Sequence, residues 1–367
     1  MTLAARLPEY PWDGLAPLKE KASAFPGGAV DLSIGTPVDP VPPVIQSALA
    51  AAANAPGYPP TAGTPGLRDA AAGWLERRHG VRVDPASVLP LIGTKEFIAW
   101  LPVVLGLGPG DTVMYPALAY PTYDIGARLA GAGSVASDAL GSGPGGARLR
   151  WVNSPSNPTG RVLSARELHD AVAWARDRGC LLAADECYLD LGWSASPVSV
   201  LHPSASGGSH DGVLAVFSLS KRSNLAGYRA GFVTGDPALI SQLLLVHKQA
   251  GMIVPGPVQA AMIAALSDDA HAEEQKARYA ARRDILATGL TAAGFRIDHS
   301  EAGLYLWATR PGLDCWAACE LLAAECGILT GPGAFYGPAG GNHIRVALTE
   351  TDERVAAAGE RLRTLAG

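Results

Sequence analysis

The sequence predicts an α/β fold, with a mostly parallel central sheet in a large domain and a smaller α+β domain. In the first two thirds of the chain, short β-rich runs alternate with Ala-rich helical stretches, as in β-α units. Runs such as LLAA (181–184) and VLAVF (213–217) are continuously apolar, which is typical of strands covered on both faces. After residue 257 the pattern changes to long helices and a hairpin. We therefore expect two structural regions.

The predicted elements follow in chain order. Strands are expected over 87–93, 110–116, 148–155, 180–186, 213–220 and 227–236, with a helix over 164–179. Residues 258–294 indicate one long helix or two abutting helices, and 295–309 a hairpin. Then come a helix over 315–326 capped by Gly327, a strand over 343–350 and a closing helix capped by Thr351. We place the large domain at 44–277 and the small domain at 1–43 plus 278–367, with the Pro-rich stretch 37–43 crossing between them.

Length and composition limit the classes of function. A chain of 367 residues suggests about two domains, and 48% hydrophobic residues support a large core. The net charge of −5 and the lack of a basic run argue against nucleic-acid or membrane-surface partners. We find no signal-peptide core and no apolar run of about 18 residues, so a cytoplasmic protein is expected. The five cysteines and eight histidines show no ligand spacing, so no metal site is expected.

Two glycine-containing stretches bear on phosphate binding. GSGPGG (141–146) matches G-x-G-x-x-G but precedes a strand, so we interpret it as a flexible loop. No G-x-x-x-x-G-K-[ST] motif occurs, which excludes a P-loop NTPase. IGTKEF (92–97) lies between a strand and a helix, where Gly93, Thr94 and Lys95 would present backbone N–H groups to an anion. A tight turn with a capping Thr is the alternative.

Polar side chains follow three predicted strands, where the carboxyl ends of parallel strands gather ligands. Asn157 lies in SPSNPTGR, where a plain turn is the alternative. Asp185 comes directly after the buried run LLAA, and a helix-capping role is the alternative. Lys221, in SLSKR, follows VLAVF with Ser218 before it and Arg229 beyond it, and a solvated surface lysine is the alternative.

Taken together, these residues indicate a single binding site. An amine nucleophile, a strand-end carboxylate, an Asn and a phosphate cradle suit a phosphorylated carbonyl cofactor whose ring nitrogen needs an anion. Pyridoxal 5'-phosphate (PLP) meets that description. It would bond covalently to Lys221, pair with Asp185 at its ring nitrogen and place its phosphate in the cradle.

At this point the chain resembles the class I/II aminotransferases of PLP fold type I. The similarity rests on NSPSNPTG, DECY, SLSKR and GYRAG, in that order and spacing, and it extends from about residue 31 to 350. The resemblance implies that Lys221, Asp185 and Tyr188 are catalytic and that Asn157 and Tyr188 bind the ring oxygen. It implies a ring-stacking Tyr120 and a phosphate site of Gly93, Thr94, Lys95, Ser218 and Arg229.

The same resemblance implies a homodimer with shared active sites. Tyr58, in PGYPPTAGTPGLR, matches a tyrosine that reaches the phosphate of the neighbouring subunit. Arg345, in HIRVALTE, matches the arginine that holds the substrate α-carboxylate, helped by the Gly35 N–H and by Asn157. Small amino acids and 2-oxo acids are the implied partners.

Three stretches, DLSIGTPVDPVP, APGYPPTAGTPGLR and SLSKRSNLAGYRAGF, are most similar to actinobacterial N-succinyl-diaminopimelate aminotransferases. This resemblance implies amino transfer between glutamate and N-succinyl-2-amino-6-oxopimelate in lysine and diaminopimelate biosynthesis. Lys95 and Arg222 are hypothetical cations for the far end of that substrate. The alternatives are an aminotransferase for aspartate, aromatic amino acids or unsubstituted diaminopimelate, a PLP β-lyase, or a non-catalytic sensor domain.

Overall fold

The computed structural model of the chain describes residues 2–365. The strands are β1 (Val30–Asp31), β2 (Val88–Ile92), β3 (Thr112–Tyr115), β4 (Gly133–Ala136), β5 (Ala147–Asn153), β6 (Leu181–Asp185), β7 (Val213–Ser218), β8 (Ala230–Gly235), β9 (Arg296–Asp298), β10 (Tyr305–Thr309), β11 (Ile328–Leu329), β12 (Gly331–Pro332) and β13 (His343–Ala347).

The helices connect and flank these strands. They are α1 (Ala16–Ser23), α2 (Pro43–Ala51), α3 (Pro65–His79), α4 (Thr94–Val104), α5 (Thr122–Ala130), α6 (Ala165–Asp177), α7 (Pro203–Ser206), α8 (Leu219–Arg222), α9 (Pro237–Ala250), α10 (Gly256–Ser267), α11 (Ala270–Ala292), α12 (Cys315–Cys326) and α13 (Asp352–Thr364). Within residues 2–365, none of them combines the length and apolarity needed to cross a membrane.

A seven-stranded sheet forms the centre of the molecule, in the order β2-β8-β7-β6-β5-β3-β4. Strands β3 to β7 run parallel, whereas β8 is antiparallel to both of its neighbours. Alternate residues of β6 and β7 enter separate apolar clusters on the two faces of the sheet. This mostly parallel sheet covered on both faces confirms the predicted α/β fold.

A second core lies around the four-stranded antiparallel sheet β12-β13-β10-β9. The predicted hairpin is confirmed by the pairing of β9 with β10, and residues 258–294 form two abutting helices, α10 and α11. Gly327 ends α12 in the left-handed conformation, and the Thr351 side chain accepts the backbone N–H of Arg354 at the start of α13. Residues 141–146 form a loop before β5, as expected.

The position of the domain boundary stays a prediction. The second core draws its apolar side chains mainly from residues 15–32 and from residues after Tyr279. The boundary expected between residues 277 and 278 falls inside α11, a continuous helix of 23 residues. That helix therefore belongs to both predicted regions.

The sheet positions the site through its parallel strands. Strands β5, β6 and β7 are neighbours, with Asn153 opposite Asp185 and Asp185 opposite Val216. Asp185 and Ser218 are the last residues of their strands. The polar residues after these strands therefore meet at one edge of the sheet.

Candidate active site

A cavity of about 240 Å³ opens at this edge of the sheet, between the large sheet and the second core. The expected residues that line it are Gly35, Thr94, Lys95, Tyr120, Asn157, Asp185, Tyr188, Ser218, Lys221, Arg229 and Arg345. They come from positions as distant as 35 and 345 in the chain. The fold thus brings together nearly the whole predicted set.

Lys221 reaches the cavity from α8, a single helical turn that follows β7. The Ser218 hydroxyl accepts the backbone N–H of Ser220 at 3.2 Å and caps that turn. The Tyr279 hydroxyl donates to the backbone carbonyl of Lys221 at 3.4 Å. Hydrogen bonds therefore hold the backbone just before Lys221 and at Lys221 itself, and the half-buried side chain extends from there into the cavity.

Asp185 is a buried carboxylate held by two donors. The Tyr123 hydroxyl donates to Oδ2 at 2.8 Å, and the Cys187 backbone N–H donates to Oδ1 at 3.2 Å. Burial raises the pKa of Asp185, while these hydrogen bonds and the nearby Lys221 amine oppose the rise. A cationic ring nitrogen beside this carboxylate would complete its electrostatic balance. Tyr123 was not among the expected residues, and no local motif identified it.

Asn157 is held in place by a second asparagine. The Asn153 side chain accepts the backbone N–H of Asn157 at 2.7 Å and donates to the carbonyl of Asp185 at 2.9 Å. Asn153 therefore joins the end of β5 to the end of β6. It is a supporting residue that the sequence-based prediction missed.

Tyr188 lies deeper in the cavity wall, with its hydroxyl 3.2 Å from that of Tyr305. Burial raises the pKa of Tyr188 well above its ordinary value, and the neighbouring Tyr305 raises it further. The phenol therefore stays protonated at neutral pH and can donate a hydrogen bond. Tyr305 was not predicted, since AGLYLWAT reads as an ordinary strand.

Arg345 is a buried arginine without an acidic partner within salt-bridge distance among the described residues. Its Nη1 donates to Asn157 Oδ1 at 2.9 Å, and its Nη2 donates to the Ser33 carbonyl at 2.7 Å. The guanidinium stacks on the Tyr305 ring at 4.0 Å, and its Nε has no hydrogen-bond partner. Buried cations are normally paired, so this one suits an incoming carboxylate.

Neighbouring side chains approach the backbone of Gly35 and of Gly93 closely. A Cβ on Gly35 would overlap the Tyr305 hydroxyl, and a Cβ on Gly93 would overlap the Arg229 guanidinium. Gly93 also has a φ of +82°, which favours glycine, and α4 begins at the next residue, Thr94. Gly93 itself is not among the residues that line the cavity. Free N–H groups at the start of α4, beside Arg229 and Ser218, form a site suited to a phosphate.

These features fit PLP. The amine of Lys221, the buried carboxylate of Asp185 and the phosphate cradle at the start of α4 all border one cavity. Tyr120 also borders it, beside the Lys95 ammonium, which lies 5.6 Å from the Tyr120 ring centroid. Among residues 2–365, no group of three or more His, Cys, Asp or Glu side chains could hold a metal ion.

Two expected residues lie elsewhere. Tyr58 is 98% exposed and does not line the cavity of its own chain. Arg222 also does not line the cavity, because its guanidinium is paired with Asp190 and is buried. The expectation that Arg222 contacts the far end of a substrate is therefore wrong. The cavity is also lined by residues that were not predicted, namely Tyr10, Trp12, Ile34, Thr36, Ile98, Cys187 and Tyr305.

The fold and the site thus define a PLP-dependent enzyme that binds a carboxylate substrate. The family model "Aminotransferase class I and II" matches residues 28–362, and the chain belongs to this family. Its cofactor is PLP.

Three similar proteins place the chain within that family. "4-dedimethylamino-4-oxo-anhydrotetracycline transaminase OxyQ" of Streptomyces rimosus is 62% identical over 97% of this chain and 99% of its own length. "Probable aminotransferase Rv1178" of Mycobacterium tuberculosis is 61% identical over 98% of this chain and 86% of its own length. A solved structure from Thermus thermophilus, described as "probable N-succinyldiaminopimelate aminotransferase", superposes with a TM-score of 0.87. It is 30% identical and covers 97% of this chain and 100% of its own.

Proposed function

We propose that this aminotransferase moves an amino group from glutamate to N-succinyl-2-amino-6-oxopimelate. The products are N-succinyl-diaminopimelate and 2-oxoglutarate, a step of lysine and diaminopimelate biosynthesis. The observation that carries the proposal is that Arg345 and Lys95 border the cavity and, among residues 2–365, have no acidic partner within salt-bridge distance. Both amino donors of this reaction carry an α-carboxylate and a second anionic group.

Arg345 supplies the first anion site. Its planar guanidinium is already oriented by Asn157 and by the Ser33 carbonyl, so little side-chain freedom remains to be lost on binding. The Gly35 backbone N–H lies on the same wall and would assist with the α-carboxylate. The rings of Tyr305 and Tyr336 pack against the guanidinium, with their centroids 4.0 and 4.8 Å from its central carbon.

Lys95 supplies the second anion site. Its ammonium lies 5.6 Å from the ring centroids of both Tyr10 and Tyr120. No acidic side chain of the described residues lies within salt-bridge distance of it, and its side chain is exposed to the cavity. The backbone N–H of Lys95 would serve the phosphate, while the ammonium would attract the distal carboxylate of the substrate.

The residues around the cofactor take the roles that the family pattern implies. PLP, when bound, supplies a conjugated ring that withdraws electrons from the substrate α-carbon. The Lys221 amine would form the covalent attachment and then carry a proton to and from that carbon. Asp185 would hold the ring nitrogen cationic, Tyr188 and Asn157 would donate to the ring oxygen, and Tyr120 would stack on the ring.

We also propose a cytoplasmic homodimer with shared active sites, and Tyr58 supports the sharing of the sites. Its side chain is almost completely exposed and does not line the cavity of its own chain, so it is free to reach the site of a second subunit. Exposed apolar residues on the same chain include Ile34, Val38, Val44 and Leu245. Such residues are candidates for the subunit interface.

A second candidate substrate follows from the similarity to OxyQ. The name of that relative describes a transaminase of an oxo-anhydrotetracycline, and its identity with this chain is 62%. We therefore keep a 4-oxo-anhydrotetracycline as the alternative amino acceptor. It lacks an α-carboxylate, so with this acceptor Arg345 would serve only the amino acid that donates the amino group.

A panel of amino donors with 2-oxoglutarate distinguishes these substrates. We expect the holoenzyme to form glutamate from N-succinyl-diaminopimelate faster than from aspartate, phenylalanine or free diaminopimelate. The reverse reaction is run from glutamate with the oxo-anhydrotetracycline as acceptor. The absence of glutamate from N-succinyl-diaminopimelate, with good turnover of another compound, would refute the substrate assignment. Release of pyruvate and ammonia from a thiol amino acid would instead indicate β-lyase chemistry.

A further inference from the structure

Arg222, the residue after Lys221, forms a buried ion pair. Its Nε lies 2.6 Å from Asp190 Oδ2, and the two side chains are only 5% and 7% exposed. Its Nη1 donates to the Ala265 carbonyl at 2.8 Å, and its guanidinium lies over the Trp74 ring at 5.4 Å. These contacts therefore hold the Arg222 side chain in the protein interior. Binding of cofactor or substrate does not explain why an arginine is present at this position.

Asp190 has a second polar neighbour. His79 Nε2, at the end of α3, lies 3.1 Å from Asp190 Oδ1. Burial alone would raise the pKa of Asp190, but its contacts with His79 and Arg222 hold the pKa below its ordinary value. Asp190 is thus an anion at neutral pH, and loss of Arg222 would leave a buried charge poorly compensated.

This ion pair joins the two segments that carry the catalytic groups. Asp190 belongs to the segment after β6, which begins directly after Asp185 and also contains Tyr188. Arg222 belongs to the segment after β7, which also contains Lys221. The β6–β7 ladder ends at Asp185 and Val216, with one further bond from the Glu186 N–H to the Val216 carbonyl. Beyond that point the Arg222–Asp190 pair connects the two segments.

The next two residues after Arg222 are also held by buried polar side chains. The Ser223 hydroxyl lies 2.8 Å from His271 Nε2, whose Nδ1 lies 2.8 Å from Asp268 Oδ2. Asn224 has a left-handed φ of 56° and donates to the Gln275 side chain at 2.9 Å. Ser223 is fully buried, so this Ser-His-Asp chain has a structural role. The backbone that carries Lys221 is therefore anchored on its C-terminal side.

We propose that Arg222, through its ion pair with Asp190, positions the Lys221 amine against Asp185 and Tyr188. Arg222 is a positioning residue and touches neither cofactor nor substrate. A lysine side chain has four rotatable bonds, so the direction of its backbone decides where the amine can reach. A displacement of about 1 Å at a reacting group can cost roughly 100-fold in rate.

The test uses the holoenzyme of Arg222→Met and the half-reaction with glutamate. We expect kcat to fall about 100-fold, while KM for glutamate stays nearly constant because Arg345 is untouched. The pH at which the visible absorbance of the bound cofactor changes should shift as well, because the charges around the Lys221 nitrogen are rearranged. Arg222→Lys, which keeps a cation beside Asp190, should recover part of both effects.

Two further variants distinguish an effect on the stability of the fold from an effect on the position of the Lys221 amine. Replacing both partners, as Arg222→Met with Asp190→Leu, removes the uncompensated charge and should restore the thermal midpoint of unfolding. The double variant should remain slow, with the shifted absorbance midpoint, because the two segments are still not joined. Arg176→Met is the matched control, since Arg176 binds three carbonyls of the 206–211 loop away from the cavity.

A purely structural role of Arg222 predicts different results for these variants. If the double variant regains both stability and wild-type kcat, the proposal is overturned. It is also overturned if Arg222→Met resembles Arg176→Met, with a lower thermal midpoint but unchanged kcat and absorbance titration. These results would leave the substrate assignment intact, because that assignment depends on Arg345 and Lys95.

Discussion

Arg345 Nη1 donates a hydrogen bond to Asn157 Oδ1 across 2.9 Å and thereby joins β13 to the turn after β5. The two residues lie 188 positions apart in the chain. One belongs to the second core and the other to the edge of the large sheet. The carboxylate site proposed for Arg345 is thus assembled by the packing of the two regions against each other.

Arg345→Lys should abolish most of the binding of the α-carboxylate. Lysine cannot reproduce the planar fork or contact Asn157 and a carboxylate together. We expect kcat/KM for glutamate to fall about 100-fold, which corresponds to roughly 3 kcal/mol of charge-assisted hydrogen bonding. Steady-state kinetics measures this, and PLP binding serves as the control because Arg345 does not border the phosphate cradle. An unchanged kcat/KM would show that the carboxylate binds elsewhere.

Tyr123→Phe removes one donor from Asp185 and keeps the aromatic ring that packs on Trp151 at 5.3 Å. The pKa of Asp185, already raised by burial, should rise further, and its charge should stabilise the ring nitrogen less well. We expect kcat to fall about tenfold, the value of one hydrogen bond to a charged group. Asp185→Asn, assayed beside it, should lose considerably more. Equal losses in both variants would contradict the supporting role assigned to Tyr123.

Glu186→Gln tests a buried carboxyl that contributes no group to the cavity. Glu186 accepts the Val200 N–H at 2.6 Å, its second oxygen has no partner, and burial raises its pKa to about 8. A carboxyl with a raised pKa in the folded state stabilises the fold at low pH and loses that stabilisation as pH rises towards 8. Each pH unit in this window is worth roughly 1.4 kcal/mol per proton.

The thermal midpoint of wild type relative to Glu186→Gln should therefore decrease from about pH 5 to pH 8. Differential scanning fluorimetry across this range measures it. Glu167→Gln is a control for which the opposite pH dependence of stability is expected. Burial tends to raise the pKa of Glu167, but its Ser164 and Arg161 contacts lower it overall, so its stabilisation is lost only as pH falls. If the difference in thermal midpoint between wild type and Glu186→Gln stays constant across this pH range, Glu186 is ionised in the folded protein.

Lys95→Met tests the second anion site. The substitution keeps the backbone N–H at the start of α4 and removes the ammonium between Tyr10 and Tyr120. We expect KM for N-succinyl-diaminopimelate to rise about tenfold, as for the loss of one charge-assisted contact, with little change for alanine. Lys248→Met on the exposed face of α9 is the matched control for net charge. Equal changes in KM for both donors would remove Lys95 from substrate recognition.

Tyr58→Phe tests the shared active site. Loss of a phenol that reaches the phosphate of the other subunit should weaken PLP binding about tenfold. Equilibrium dialysis measures the affinity, and size-exclusion chromatography with light scattering measures the mass of the same sample. A monomeric wild type, or unchanged PLP affinity in a dimeric variant, would contradict the proposal.

Much of the fold and the site could be predicted from the sequence because their signals are local. Apolar strands followed by polar residues predicted the parallel sheet and the positions of Asp185 and Lys221 at one edge. Asn157 was expected in the turn after a neighbouring strand, Arg345 was implied by the resemblance to the aminotransferases, and the cavity contains both. Asp185 ends β6 and Lys221 lies in the turn directly after β7, so the pattern that predicts each of them is local in the chain.

Only the tertiary structure decided the partners of these residues. It paired Arg222 with Asp190, placed the Tyr123 hydroxyl on Asp185 and stacked Tyr305 on Arg345. These contacts join segments that are far apart in the chain, so no local pattern specifies them. The sequence by itself determined which groups stand at the ends of the strands. The packing of the elements determined which buried charges meet, because a buried charge is stabilised by whichever partner the fold brings within hydrogen-bond distance.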